Sequence, residues 1–508
     1  MERNLKKLVF IISVVIFGIL LRIATESIYS LIFNTYDLST FTGVLLRSIF
    51  VLSFIIVWLL ITLRKEVERS KLAWLLFLVI DPVMGMTFFL SFGRSFRMSI
   101  RSRKRSLGPA GHYLGLNPDK TIPITQPFYK YMRILNMAST QNALPLSYQS
   151  SQTTLINNGE TFYPDLVNSI KQATHYILIE VYILRYDLRG QEIIELLKQK
   201  ADEGLKVVLM IDGLGSARFA RFKSHVFKHS HIEYYVFDRI KFPLFNTRIT
   251  YRNHRKLFIT DSTAYVGGMN IGDEYDNSVP YYTFFKDTMV KLEGDAVKSV
   301  LALFKKDYFY VTGTPLNVTP VGGIVASKGY VQIVESGPDS KSTDIHDLYL
   351  GLIMRADQHI QIMTPYIALD DELIAALKMA IKQGVKVDII IPGKPDKIMV
   401  YMVTRYYAGL LSELGVNIYI YQKGFIHSKT MVVDEELGVI GSYNLDNRSA
   451  RIDFEVATVI INETVDALIQ DFHETLKDSS LETLESYRKR SFIRRFVEHT
   501  LSLFSSLV

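Results

Sequence analysis

One unit occurs twice in this sequence, and that repeat constrains the fold more than any other feature. In the first copy a helix-like stretch, Tyr163 to Ala173, leads into an apolar run from His175 to Leu184. A helical pattern from Gly190 to Glu203 then leads into a second run ending at Asp212. In the second copy Asp347 to Ala356 leads into His359 to Tyr366, and Asp371 to Gln383 leads into a run ending at Ile391. β-Branched strands joined by long helical crossovers predict an α/β fold of two pseudo-symmetric halves with mainly parallel sheets covered by helices. A further strand follows in each copy, Ile232 to Phe237 and Val416 to Tyr421. Gly213 and Gly215 follow one strand, but Arg218 stands where a dinucleotide fingerprint needs its third glycine, so an ordinary strand-to-helix turn is expected.

Past the last strand each copy carries the same polar constellation. The first is His254-Arg-Lys256-Leu-Phe-Ile-Thr-Asp261 with Gly267-Gly268-Met-Asn270 downstream. The second is His427-Ser-Lys429-Thr-Met-Val-Val-Asp434 with Gly441-Ser442-Tyr-Asn444 downstream. Side chains two positions apart on a strand share a face, so each imidazole converges with an ammonium. A pseudo-twofold axis would gather two His and two Lys around one pocket, which suits an anionic tetrahedral phosphate. Asn270 and Asn444 can donate to its oxygens. Paired imidazoles permit one nucleophile and one general acid/base. Asp261 and Asp434 lie past a short apolar run and are expected to hold local structure or orient an imidazole. The first turn has Gly268 where the second has Ser442, and it is one residue closer to its Asp, so a hydroxyl contact to phosphate is expected from Ser442 alone.

The chain has no cysteine, which excludes disulfides, thiolate metal sites and Cys nucleophiles. Lysine is a poor ligand at neutral pH, so nothing completes a zinc cage, and no metal or organic cofactor is expected. With 48% hydrophobic and 21% charged residues, bulk disorder is excluded.

The apolar excess, a mean hydropathy of +0.15, sits at the start of the chain. Three uncharged runs, Leu8 to Leu21, Ser48 to Leu63 and Leu72 to Gly93, approach the length of a bilayer span, the third broken by Asp81-Pro82. The first lacks a small-x-small cleavage site and is followed by more such runs, which disfavours a signal peptide. The others have no polar face, which disfavours buried core helices. Basic clusters at Arg3 to Lys7, Arg64 to Lys71 and Arg94 to Arg105 all favour the cytoplasmic side. The expectation is an inside N-terminus, two spans, a re-entrant third segment and a cytoplasmic catalytic region on a bacterial cell membrane. The domain boundaries that follow are 1–105 for the membrane region, 106–147 for a Pro-punctuated linker, 148–335 and 336–480 for the halves, and 481–508 for an amphipathic tail.

The duplicated His-x-Lys-x4-Asp motif resembles that of the phospholipase D superfamily, and the match is closer still to bacterial cardiolipin synthases. The resemblance is carried by Tyr265-Val-Gly-Gly-Met-Asn-Ile-Gly-Asp-Glu-Tyr275, by Gly441-Ser-Tyr-Asn-Leu-Asp-Asn-Arg-Ser449 and by Phe454-Glu455. Pro82, Gly85, Phe92-Gly-Arg94 and the ending Leu503-Phe504-Ser505 are similar to that family too. Asp453 departs from it, standing where Asn is expected. The resemblance implies two phospholipase D-like halves that transfer a phosphatidyl group from one phosphatidylglycerol to another and release glycerol. It implies that His254 attacks phosphorus, that His427 serves as acid and then base, and that Lys256, Lys429, Asn270, Asn444 and Ser442 hold the phosphate.

The same residues would serve a phospholipase D using water, or a transferase using another alcohol. A membrane-anchored lipid-binding scaffold is the non-enzymatic alternative. The basic residues adjoin apolar segments and form no aromatic-interleaved stripe, so nucleic acid is not an expected partner. Phosphatidylglycerol and anionic membrane lipid are, and an oligomer is left open. The segment 238–253, with Arg239, Lys241, Phe242, Phe245, Arg248, Tyr251 and Arg252, reads either as a lipid-guiding rim or as a plain surface loop. The tail, with Phe492, Ile493, Phe496 and Leu501 at helical spacing behind a basic cluster, reads either as an interfacial helix or as a helix packed on the core.

Overall fold

The computed structural model describes residues 41–63, 68–92, 130–135, 147–148, 150–239, 251–279, 283–321, 323, 325–340, 344–503 and 505. The chain divides into two units, Met1–Ser95 with Pro243–Thr247, and Phe96–Phe242 with Arg248–Val508.

In the first unit the helix Phe41–Thr62 covers the second apolar run, and the first run lies outside the described residues. The third run is two helices, Glu68–Ile80 and Pro82–Phe92. Asp81 breaks it by accepting from the Met84 N–H at 3.0 Å, with Pro82 in the first helical position, where its missing N–H costs nothing. The two helices meet closely: a Cβ on Gly85 would lie 2.5 Å from the Leu78 Cα, and Trp74 sets its ring against Phe89 at 5.5 Å. Among the described residues, no helix is long and apolar enough to cross a membrane.

The second unit contains two equivalent sheets. The first orders its strands Ser151–Ile156, Met289–Gly294, Thr263–Gly267, Leu257–Thr260, Tyr176–Val181, Lys206–Asp212 and Glu233–Phe237. The second orders Tyr330–Ser336, Glu455–Ile461, Leu437–Gly441, Thr430–Val433, His359–Met363, Lys386–Pro392 and Asn417–Tyr421, with Ser147–Tyr148 and Ser479–Leu481 added at its edges. The expectation of mainly parallel sheets is corrected. Within these two sheets, among the described residues, the strands flanking the helical crossovers pair parallel and the other neighbours are antiparallel; two short ladders outside them, Ile367–Ala368 with Leu445–Asp446 and Phe425–Ile426 with Phe285–Lys286, are parallel. The crossovers Leu188–Asp202 and Asp371–Lys382 force parallel neighbours, whereas the motif-bearing segments return as tight hairpins, which are antiparallel by construction.

Strand alternation sorts the core. Ile177, Ile179 and Val181 pack outward against Leu166, Ile170 and Ile194 of the covering helices. Tyr176 and Leu178 instead join an inner cluster with Val331, Ile333 and Val456 of the other half. Each such fully buried aliphatic contributes about 1.5–3 kcal/mol, so the inner layer binds the halves into one body. The helices start where side chains cap them: Asn158, Asp187 and Asp370 accept from the N–H groups of Thr161, Gly190 and Leu373.

The two sequence readings of exposed segments fare differently. Tyr251 and Arg252, read from sequence as part of either a rim or a plain surface loop, are buried; the Arg252 guanidinium reaches the Asp238 carbonyl at 3.2 Å. Lys241, Phe242, Phe245 and Arg248 lie outside the described residues. The tail forms the helix Phe492–Ser502, which packs on the helix Ile398–Leu414.

Candidate active site

Both motif histidines sit where the halves meet. Neither lies within a strand: each occupies the link just before its hairpin, Leu257–Thr260 or Thr430–Val433. The backbone there is held from across the boundary. The His254 N–H donates to the Phe454 carbonyl at 2.9 Å, and the His427 N–H donates to the Lys286 carbonyl at 2.6 Å.

The imidazoles are crossed in the same way. Nδ1 of His254 lies 3.0 Å from the Glu455 carboxylate, and Nδ1 of His427 lies 2.6 Å from Asp287. A carboxylate at Nδ1 fixes the proton there, so Nε2 is left with its lone pair. The side chains keep 13% and 12% of their surface exposed, and both line one cavity. Burial, with Lys256 and Lys429 adding to it, holds His254 well below the usual imidazole range. Burial, with Lys429 next, pushes His427 down to about 4 although Asp287 opposes the shift.

The motif lysines fold back onto their own histidines, each Nζ donating to the His254 or His427 carbonyl. Lys256 also lies over the Tyr182 ring, 5.5 Å from its centroid. Burial pushes Lys256 down to about 7 and Lys429 down to about 8, against the pull of Glu455 and Asp287. Burial in turn pushes Glu455 up to about 7. The site thus crowds groups of both signs, each close to losing its charge, and an anion entering it favours the charged lysines.

Other sequence-selected residues have other partners. The Asn270 side-chain Oδ1 accepts from the Ile183 N–H at 2.9 Å, and its Nδ2 donates to the Tyr275 hydroxyl at 3.0 Å. Asn444 also lines the cavity, and among the described residues its buried Oδ1 has no hydrogen-bond partner, so it can accept from a donor such as a hydroxyl. Ser442 does not point at the cavity; its hydroxyl donates to Glu455 and accepts from the Val456 N–H at 3.0 Å. The counterpart Gly268 has no space for a side chain, because a Cβ there would lie 2.1 Å from Oδ1 of Asp287. Asp453 holds Arg448 by two bonds, 2.9 and 3.0 Å, and burial pushes its carboxyl up to about 7.

Asp261 and Asp434 are not brought to the imidazoles. Asp261 accepts from the backbone N–H groups of Thr174, His175 and Tyr176 at the start of a parallel strand. Asp434 does the same with Asp357, Gln358 and His359, and adds Lys130 at 2.8 Å. Burial works against their ionisation, but these donors prevail and hold both carboxyls below the usual range. The one-residue difference in spacing is a difference of turn: the second hairpin turns through Asp434 and Glu435, both with positive φ.

The residues that sequence reasoning missed are the carboxylates. Glu455 was noticed as part of a resemblance and given no role; Asp287 was not noticed. The signal available was their equivalent placement in the two repeats, just ahead of or at the start of the strands Met289–Gly294 and Glu455–Ile461. Arg255, between the first His and Lys, was missed too. It is fully buried, donates to the Glu455 carbonyl at 3.0 Å and pairs with Glu335 at 2.7 Å, fixing the strand that carries the carboxylate.

The cavity is about 530 Å³. Tyr182 stands edge-on to His254 at 5.1 Å, and Phe285 lies 5.4 Å from His427. Its wall also carries Arg185 paired with Glu274, Arg448 paired with Asp453, and Lys397 with Asp396 and Asp446. Among the described residues, His346, Asp370 and Glu372 are close enough to share a metal ion, but Asp370 already pairs with His346 at 2.8 Å and caps a helix.

The family described as "Cardiolipin synthase, PLD-like domain" matches residues 166–278 and 349–477. A protein named cardiolipin synthase 2 from Bacillus anthracis is 36% identical over 467 residues, 90% of this chain and 91% of that one. A cardiolipin synthase from Geobacillus kaustophilus is 33% identical over 464 residues, 90% and 92% of the two chains. Among solved structures, a phosphatidylserine synthase from Haemophilus influenzae superposes with a TM-score of 0.57 at 15% identity, covering 74% of this chain and 99% of that one, a likeness of fold alone.

Proposed function

The chain belongs to the cardiolipin synthase family, and on that premise we propose how its crossed histidines move a phosphatidyl group from one phosphatidylglycerol to another. It is a phosphatidyltransferase of phospholipase D type. The observation that carries the mechanism is the pair of imidazoles, each held at Nδ1 by a carboxylate of the other half, with Nε2 left for substrate.

In the first step Nε2 of His254 attacks phosphorus and the bond to the leaving glycerol oxygen breaks. His427, protonated once the phosphate anion is bound, gives its proton to that oxygen, and glycerol departs. In the second step neutral His427 takes the proton of a primary hydroxyl on the second phosphatidylglycerol. The resulting oxygen attacks phosphorus, the phosphorus–nitrogen bond breaks, and both histidines return to their starting states. The charge on the phosphoryl oxygens peaks in each transition state, where Lys256, Lys429, Asn270 and Asn444 offset it.

The assignment of roles draws on the unequal carboxylates. Glu455 is pushed up to about 7, receives the Ser442 hydroxyl, and so offers His254 little reason to keep a proton. The 2.6 Å contact from Asp287 gives His427 a stronger hold on one. Asp261 and Asp434 serve as positioning residues, pinning the strands beside each motif. The membrane reading goes with this: residues 1–105 anchor the catalytic unit on the cytoplasmic side, supported by long uncharged runs and by the outward Leu52, Ile56 and Leu60 of the helix Phe41–Thr62.

The test is product analysis by purified protein with phosphatidylglycerol as sole lipid. Cardiolipin and glycerol in equal amounts are expected, with none from His427→Ala. Phosphatidic acid without cardiolipin would instead make water the acceptor and the chain a lipase.

A further inference from the structure

The surface beside the cavity is built in a way that catalysis alone does not require. The tail helix Phe492–Ser502 docks through one edge only. Glu498 is buried there and takes Arg490 at 2.9 Å and Arg494 at 3.1 Å. His499 sets its ring against Tyr406 at 4.8 Å, and Leu501 packs into the core of the second half. The opposite edge is apolar and open: Phe492, Ile493 and Phe496 are 75%, 74% and 62% exposed, and Leu503 just beyond is 57% exposed.

The helix beneath also reaches the cavity. Ile398 and Met399 at its start are exposed, and the next residues of that helix, Val400 and Val403, line the cavity wall. Ser505, at the end of the tail, lines the same wall and lies 3.0 Å from the Tyr407 hydroxyl. The open apolar edge and one side of the catalytic cavity are therefore made by the same two elements. The charge around it is in basic excess: Arg488, Lys489, Arg490, Arg494 and Arg495 flank the apolar side chains, against Glu413, Glu485 and the buried Glu498. Arg488 and Lys489 reach Glu413 and Glu485, but these are solvent-exposed pairs that hold their partners weakly.

We propose that this two-helix edge is the surface by which the catalytic unit lies on an anionic bilayer and draws lipid into the cavity. Large apolar side chains within a rim of arginine and lysine fit the boundary between acyl chains and negative headgroups. A patch of this size is otherwise a liability for a surface in water. The inference rests on the cavity being a phospholipid site, and it names the route by which phospholipid reaches it.

Because the native chain has no cysteine, the full-length protein can carry one environment-sensitive label. Phe496→Cys and, as control, Glu195→Cys on an exposed helix of the first half would each be labelled and reconstituted in vesicles with brominated acyl chains. The label at position 496 is expected to be quenched several-fold more than that at 195. Quenching should be stronger with phosphatidylglycerol than with phosphatidylcholine, and reduced by Arg494→Glu with Arg495→Glu. Equal quenching at both positions overturns the proposal. So does crosslinking of position 496 between two copies without quenching, which would make a second chain the occupant. Phe492→Ser with Phe496→Ser should lower turnover of vesicle lipid at least tenfold and leave transfer from short-chain, monomeric phosphatidylglycerol unchanged; equal loss on both substrates also overturns it. If the wild type transfers nothing from the short-chain substrate, the functional reading fails, and the quenching result still decides the docking surface.

Discussion

Oδ2 of Asp287 lies 2.6 Å from Nδ1 of His427, across the boundary between the halves and 140 positions away in the chain. Glu455 stands in the equivalent relation to His254, 201 positions away. Each half therefore supplies the imidazole that the other half orients, and the pseudo-twofold relation governs the chemistry as well as the fold.

Replacing either carboxylate by its amide should reverse the tautomer of the histidine it holds. Asp287→Asn and Glu455→Gln are each expected to lower kcat by roughly a thousand- to ten-thousandfold. A substrate with a p-nitrophenol leaving group needs no proton on departure. It should restore labelling of the protein in Asp287→Asn and fail to restore it in Glu455→Gln. The opposite pattern in single-turnover labelling would exchange the roles of the two histidines.

The lysines set a pH dependence on anion binding. Burial lowers Lys256 to about 7 and Lys429 to about 8, so the site loses these two positive charges as pH rises through that range. Glu455, raised to about 7, gains a negative charge over the same interval. Both changes weaken anion binding. Affinity for tungstate should be highest below about pH 7 and fall by up to about tenfold per pH unit per group above it. Calorimetry in buffers of different ionisation enthalpy should record proton uptake on binding near neutrality. Equal affinity at about pH 6.5 and about pH 9 would show that the lysines keep their protons throughout.

The motif aspartates should act on stability. Asp261→Ala and Asp434→Ala each remove a buried acceptor from three backbone N–H groups. A loss of about 3 kcal/mol or more in urea unfolding of the catalytic unit is expected. Turnover per folded molecule should change only a few-fold. A thousandfold loss of turnover with unchanged unfolding would place these groups in the chemistry.

Gly268 and Ser442 occupy equivalent positions but should respond oppositely to alanine. Gly268→Ala drives a Cβ into Asp287 and displaces it from His427, so activity should fall at least a hundredfold. Ser442→Ala removes a hydrogen bond to Glu455 without crowding it, a cost of about 1–2 kcal/mol and a roughly tenfold loss. Steady-state kinetics of the two variants compares them directly.

The repeat was legible because it is local: periodicity places the helices and the parallel strands, and the His-x-Lys spacing recurs at the same place in each copy, although each ammonium folds back onto its own histidine's backbone carbonyl. The sheet type was misread because parallel pairing announces itself through long crossovers, whereas the hairpin at Asp261 looks like the end of a strand. Asp287 and Glu455 stayed hidden because nothing near them in sequence marks a carboxylate as the partner of a histidine in the other repeat. Ser442 was read as a phosphate ligand, but its hydroxyl is consumed by Glu455, a partner visible only once the strands are paired. Tyr251 and Arg252 read as rim or surface loop for the opposite reason: aromatic and basic residues in a long insertion suggest surface until Asp212 and Asp238 are found against Arg252, and Phe237 and Phe454 around Tyr251.

Crossing the carboxylates between the halves also leaves each half incomplete by itself. The first half carries His254 and Asp287 but neither Glu455 nor His427, so it holds an imidazole without its carboxylate and a carboxylate without its imidazole. Both oriented histidines exist only where the two halves are docked, and full activity is a report that the whole unit has closed.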